Sequence, residues 1–462
     1  MQPGIILILL AAWILAQAAP HATVPNAAYR TAACGLLMAL VVIVARFVAV
    51  AAAAGLRGGN ASAWAGRYRR LRSLHAAAWV LALAAIYAGL GWSQIVRENW
   101  GLRRFPLIDD LMVLLPVLLS LLLIWWAHGA ADSATGNAPG RSWSARKPVL
   151  RSARHLLAPV LAPLLLMLGV QDALEFFRGP EPATPAMQAA AGIPCLLLVM
   201  AGFPLALRYL WHTEPLNDSA LRRRLDQVQQ RLDVRTRDTL VWHTDRTICN
   251  AVVVGMLPGC RYVLLSDLLL DRLSPDQIAA IYGHELGHIR HGHLWLRMLA
   301  VVLPIGVACL FHAKAGEWIA AASAAMHASG TAGSWQSVGL ALAAIVLYVR
   351  FPFSWYCRAL ERQADLCGCE AAAEDGDRAK GIGSTAVKRF VSALATLSSS
   401  DHRSRQAARN GWLHPSLADR AAFVRSMGTD IPAQRRFARR MRRLAWLLIG
   451  LVSLVALLAV AS

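Results

Sequence analysis

The stretch IYGHELGHIRHGH, residues 281–293, places two histidines four apart, with Glu285 directly after the first. On a helix, positions i and i+4 share a face about 6 Å apart along the axis. The imidazoles of His284 and His288 can therefore converge on one zinc ion at about 2.0–2.1 Å each. Glu285 projects to the side of the pair, so its carboxylate reaches a water held there without itself being a ligand. That is the physical content of the H-E-x-x-H pattern. The competing reading is a histidine-rich helix end beside a membrane, because His291 and His293 follow at once. The frame favours the metal. Ser274, Pro275 and Gln277 supply a cap, a proline at the first helical position and a capping-box partner. Gly287 is expected to keep the metal-facing surface open.

The composition sets the solvent. Of 462 residues, 56% are hydrophobic and only 16% charged, against about a quarter charged in soluble domains. The balance predicts an integral membrane protein. A net charge of +20 could suit nucleic acid, but the arginines cluster beside apolar runs instead of forming a basic domain, so no nucleic-acid partner is expected. The eight cysteines are scattered without a zinc-ribbon C-x-x-C pair and read as reduced packing residues.

Apolar runs of spanning or near-spanning length lie at about 4–19, 32–54, 75–92, 109–127, 154–171, 190–211, 295–312, 336–353 and 444–461. The fold class expected is mainly α, with about nine transmembrane helices. Arginine and lysine concentrate after the second run (Arg57 to Arg72), after the fourth (Arg141 to Arg151) and in RRFARRMRR, 435–443. With basic loops on the cytoplasmic side, the N-terminus and both polar blocks lie inside. The expected organisation is a membrane region over 1–211 with about six helices, a first catalytic part over 212–294, two spans over 295–353, a second catalytic part over 354–443 and a last span over 444–462. The two polar blocks then fold together as one split domain.

Within the first block, Leu221, Leu225, Val228 and Leu232 have helical spacing after a cap at Asp218 or Ser219. ICNAVVVG and RYVLLS, separated by the turn MLPGC, read as two strands of a small sheet. The second block supplies a third ligand. In YCRALERQADLCG, Glu361 and Asp365 are four apart on a helix. Glu361 can be the ligand, and Asp365 can accept the free ring N–H of a ligating histidine and so fix its tautomer. Other candidates for the third ligand are His291, His293, His312 and His402, of which His291 and His293 lie too close to converge from the same helix. In LHPSLADR, residues 413–420, His414 or Arg420 can stabilise a developing oxyanion.

HELGH, then E-x-x-A-D after two spans, then H-P-S-L-x-x-R, with N-A-V-V-V upstream, resembles the M48 family of membrane zinc metallopeptidases, which includes CAAX prenyl-protein proteases and heat-shock quality-control proteases. The resemblance covers about 215–425. It implies a gluzincin α+β core fused to transmembrane helices, with one Zn²⁺ per chain on His284, His288 and Glu361, and Glu285 as general base and acid. Asp365 matches the acidic residue after the ligand glutamate. His414 and Arg420 match the HP histidine and the basic residue after it, and Asn250 and Ala251 match the substrate-side strand. The substrate is expected to lie extended along that edge, Val252 included, as an added strand.

The expected activity is that of a zinc metalloendopeptidase acting on membrane-associated or misfolded proteins. The expected location is the bacterial cytoplasmic membrane, with the active site on the cytoplasmic side. Two other readings use the same residues: a signal-transducing metallopeptidase receptor, and a non-catalytic transporter or scaffold in which Arg46, a lone charge deep in a span, marks the path. Nothing in the sequence specifies the oligomeric state.

Overall fold

The computed structural model describes residues 8–9, 11–13, 15–16, 19, 21–57, 61–105, 107–134, 149–150, 152–178, 185–325, 343–373, 382–400, 413, 415–428 and 430–461. The chain divides into two compact units, Met1–Val199 with Ser329–Leu342, and Met200–Ala328 with Ala343–Ser462.

The first unit contains α1 (Ala27–Arg57), α2 (Ala61–Ala84), α3 (Ile108–Ala134) and α4 (Ala158–Arg178). Leu83, Ile86, Tyr87, Val113, Leu114 and Val117 are among its buried core. Several polar groups inside it are paired, as a low-dielectric setting favours. Tyr87 Oη donates to the Val113 carbonyl at 2.6 Å, and Trp79 Nε1 to Ser120 Oγ at 2.8 Å. Arg97 bridges Asp109 at 3.1 Å and Asp110 at 2.8 Å. Arg46 donates to the Ala127 carbonyl and lies over the Trp126 ring, so the charge that the transporter reading invoked has structural partners.

Helix α5 (Pro185–Leu210) crosses the division and leads into a four-stranded sheet. Its strands are β1 (Thr213–Pro215), β2 (Asp238–Trp242), β3 (Ala251–Val254) and β4 (Tyr262–Ser266), in the order β1-β2-β4-β3. β2 and β4 are parallel; β1 on β2 and β3 on β4 are antiparallel, with Val253 opposite Val263. β3 is thus an edge strand.

Helix α6 (Ser219–Leu232) follows β1, capped by Asp218, and buries Leu221, Leu225, Val228 and Leu232, as their spacing dictates. After α7 (Asp267–Arg272), α8 (Pro275–Arg290) opens on the full capping box of Ser274 and Gln277 and carries the quoted stretch. It is followed by α9 (His293–Ala325), α10 (Ser354–Ala372), α11 (Ser384–Ser400), α12 (Leu417–Met427) and α13 (Ile431–Ala461).

Among the described residues, five helices have the length and hydropathy to cross a membrane: Ala27–Gly55, Gly66–Gly89, Ile108–Gly129, Ala153–Leu174 and Ile431–Ala459. The count becomes six if α8 and α9, bent by 51° at their junction, are taken as one broken span. This is fewer than the nine apolar runs. The runs at 4–19 and 336–353 extend beyond the described residues, and in 190–211 the apolar helix is the shorter Pro194–Leu210. α8 is apolar for a different reason: Ile278, Ala279, Ile281, Tyr282 and Leu286 belong to the buried core of the second unit, with Leu225, Val263, Leu265 and Phe390.

α8 and α10 pack at very short range. A Cβ added to Gly283 would sit 2.1 Å from the Ala371 Cβ, and one added to Gly287 would meet the Cys367 Cβ at 2.9 Å and the Ala364 Cα at 3.0 Å. Gly287 therefore does not hold a surface open for the metal; it lets the two helices touch. Gly283→Val is expected to force them apart, at a cost of about 1–3 kcal/mol for overpacking, and to weaken metal binding by moving Glu361 from the histidines. Thermal unfolding and zinc titration of the variant check this; wild-type values in both would contradict it.

Candidate active site

The capped α8 brings His284 and His288 to one face, and the close approach of α10 delivers Glu361. The His284 and His288 Nε2 atoms are 3.3 Å apart, and they lie 3.6 and 3.7 Å from the two Glu361 carboxylate oxygens. All three residues are buried, and one ligand atom from each lies within 4.8 Å of the others. Ligand atoms around a tetrahedral zinc at about 2.0–2.2 Å would be about 3.3–3.5 Å apart, so the donor set fits such an ion without rearrangement.

Each histidine has its other nitrogen engaged. His284 Nδ1 lies 2.9 Å from Asp365 Oδ1. A carboxylate only accepts, so the proton sits on Nδ1 and the Nε2 lone pair faces the ligand cluster. Asp365 is fully buried and also receives Arg420 Nε at 3.1 and 3.0 Å on its two oxygens. Burial pushes the Asp365 carboxyl up, but Arg420 and the His284 hydrogen bond outweigh it and hold the group below the usual carboxylate range. Burial lowers His288 well below an ordinary imidazole, which keeps it neutral.

Glu285 stands beside the triad. Its Oε2 accepts the Val253 amide of edge strand β3 at 3.1 Å. Burial, with the nearby Glu361 charge adding to it, pushes its carboxyl above the ordinary glutamate value despite His284.

The sequence-derived residues are placed as follows. His284, His288, Glu361, Glu285 and Asp365 come together. Arg420 reaches the same cluster, with its guanidinium on Asp365. Ala251 and Val252 lie in β3, and Asn250 just precedes it, bonded through its backbone to Ser266. His414 and His402 lie outside the described residues. His291 and His293 are not in the ligand cluster.

Sequence reasoning missed two elements of the site. Arg297, on α9, donates to Glu361 Oε1 at 2.6 Å; as one arginine at the edge of an apolar run, it carried no signal of that partner. His293 contacts His288. Here a signal existed: Gly292 is a C-terminal helix stop, which would have separated His293 from α8.

Residues 215–428 match the family model of peptidase family M48. The chain carries an M48 peptidase domain. The M48 domain spans both polar blocks, so it contains His284, His288, Glu361 and Arg420 together. M48 is a family of metallopeptidases, and in this chain its domain is joined to helices of membrane-spanning length. The crystal structure of S. mikatae Ste24p is similar at 16% sequence identity and a TM-score of 0.44, over 87% of this chain and 100% of that one. A search of curated proteins returned no match.

Proposed function

We propose that the chain is a zinc metalloendopeptidase that hydrolyses membrane-associated or misfolded protein segments at the cytoplasmic face of a bacterial membrane. The observation that carries this reading is the buried His284–His288–Glu361 donor set with the uncoordinated carboxylate of Glu285 between it and an edge strand.

A zinc ion bound by these three residues would lower the pKa of water to about 7 and polarise the scissile carbonyl. Glu285 takes the proton of the attacking water and delivers it to the leaving amine; its raised carboxyl brings it nearer to neutral working pH. The Val253 amide aims that carboxylate. The substrate backbone lies extended along the β3 edge from Asn250 to Val254, so recognition depends little on side-chain identity. Asp365 and Arg420 hold His284 in its ligating tautomer. With Arg420 committed to Asp365, the oxyanion role passes to His414, six residues before it in the H-P-S-L-x-x-R segment.

Packing within the second unit supports this location. Leu360, next to the ligand Glu361, is buried with Ala300 of α9 and with Met441 and Leu448 of α13. Arg297, one turn before Ala300, holds Glu361 itself. On α13, six arginines from Arg435 to Arg443 precede the apolar part, as suits an anionic inner leaflet. The site thus stands at the end of apolar helices, and a membrane-tethered segment would reach it most easily.

In the test, the purified full chain in liposomes is given one unfolded sequence in two forms, lipid-anchored and free. Chelation of zinc is expected to abolish cleavage, stoichiometric zinc to restore it, and the anchored form to be cut faster. Activity that survives chelation would end the zinc reading. Equal rates on both forms would end the membrane-substrate reading.

A further inference from the structure

The two ligating histidines are oriented by different chemistry. His284 has a carboxylate behind it, whereas His288 Nδ1 lies 2.9 Å from the Nδ1 of His293. His293 is fully buried, and its Nε2 is 3.2 Å from the Gln363 side-chain carbonyl oxygen of α10. On an uninterrupted helix, residues five apart point about 140° away from each other, and the rings could not meet. They meet because α8 stops at Arg290. Gly292 takes a left-handed φ of +64°, α9 begins at His293, and the axis bends by 51°. The break turns the first side chain of the membrane-entering helix back under the second ligand.

The proton order along this chain is determined from its far end. Gln363 Oε1 can only accept, so His293 carries its proton on Nε2 and leaves Nδ1 as an acceptor. His288 must then donate from Nδ1, which frees its Nε2 lone pair towards Glu361 and His284. The reverse order would put a proton on His288 Nε2, where a metal has to bind. We infer that His293 is a positioning residue, held by Gln363, that fixes the ligating tautomer and ring orientation of His288 through a neutral imidazole relay. The inference rests on the zinc reading of the preceding subsection. Removing the hydrogen-bond partner of a metal-ligating histidine costs about 10–100-fold in metal affinity.

The test is Zn²⁺ affinity of the full chain in detergent, by competition with a fluorescent chelator, with thermal unfolding of the metal-free protein alongside. His293→Leu, which removes the acceptor, is expected to weaken zinc binding about 10–100-fold. His293→Asn, whose Oδ1 occupies the position of Nδ1, is expected to stay within about threefold of wild type. Gln363→Met, which frees the His293 tautomer, is expected to weaken binding about threefold. A merely space-filling role would lower the unfolding temperature of the metal-free protein in His293→Leu and would not be rescued by asparagine. Wild-type affinity in His293→Leu, or asparagine no better than leucine, overturns the relay. Should His293→Leu not fold, the other two variants decide: a tenfold loss in His293→Asn, or no loss in Gln363→Met, overturns it. His288→Ala separates the levels. If it retains wild-type zinc affinity, the zinc assignment itself fails; if it loses zinc while His293→Leu does not, only the relay fails.

Discussion

Glu285→Gln is expected to keep a full complement of zinc and to lower the rate of peptide cleavage by roughly 10²–10⁴-fold, the usual contribution of a general acid–base. Glutamine has the size of glutamate, and its amide oxygen can still accept the Val253 amide that Glu285 Oε2 holds at 3.1 Å. The sheet edge and the packing of α8 should therefore survive. What is lost is the ability to take a proton from water and return it to the leaving amine. Metal analysis and a cleavage assay on the same preparation check this. A variant that cuts at more than a tenth of the wild-type rate would remove Glu285 from the reaction.

Asp365→Ala should be the most damaging change that touches neither a ligand nor the base. Asp365 has no solvent exposure, and it neutralises an Arg420 side chain that is itself only 12% exposed. Deleting one member of such a pair strands the other charge, at a cost of about 3–5 kcal/mol. The same change removes the acceptor of the His284 Nδ1 proton and should weaken zinc binding a further 10–100-fold. Because the folded Asp365 carboxyl lies below its unfolded value near 3.8, its contribution to stability is complete above that pH and is lost as the pH falls through the folded pKa. Chemical unfolding of the metal-free variant at neutral pH checks the first number; a loss under 1 kcal/mol would mean that the pair is not buried as described.

Local signals were legible where one element contained the whole argument. The capping box of Ser274 and Gln277, the four-residue step from His284 to His288 and the apolar stripe of α6 all follow from helical geometry, and the structure has them. The helical step from Glu361 to Asp365 was also readable, although a solvated acidic pair would have the same spacing; only the structure shows both residues buried on α10. Long-range features were not. The short strands β1 and β2 have no alternation of their own and are defined by pairing with each other and with β4. Arg297 meets a partner 64 residues away. Gly287 lies between two ligand positions and reads as part of the metal surface, yet its function is set by Ala364 and Cys367 on another helix. The nine apolar runs do not map one for one onto the five or six helices of spanning length, because the runs at 4–19 and 336–353 extend beyond the described residues and the apolar helix within 190–211 is only Pro194–Leu210.

The central claim is that His284, His288 and Glu361 hold one zinc ion that the chain needs for cleavage. The most direct measurement is zinc per chain, by elemental analysis, on purified wild type and Glu361→Ala prepared with the same limiting zinc, with cleavage of an unfolded membrane-anchored substrate measured on both. One zinc ion in wild type, little in Glu361→Ala, and cleavage only where zinc is retained is the predicted result. A wild type without zinc, or a Glu361→Ala protein that binds zinc and cleaves like wild type, would contradict it.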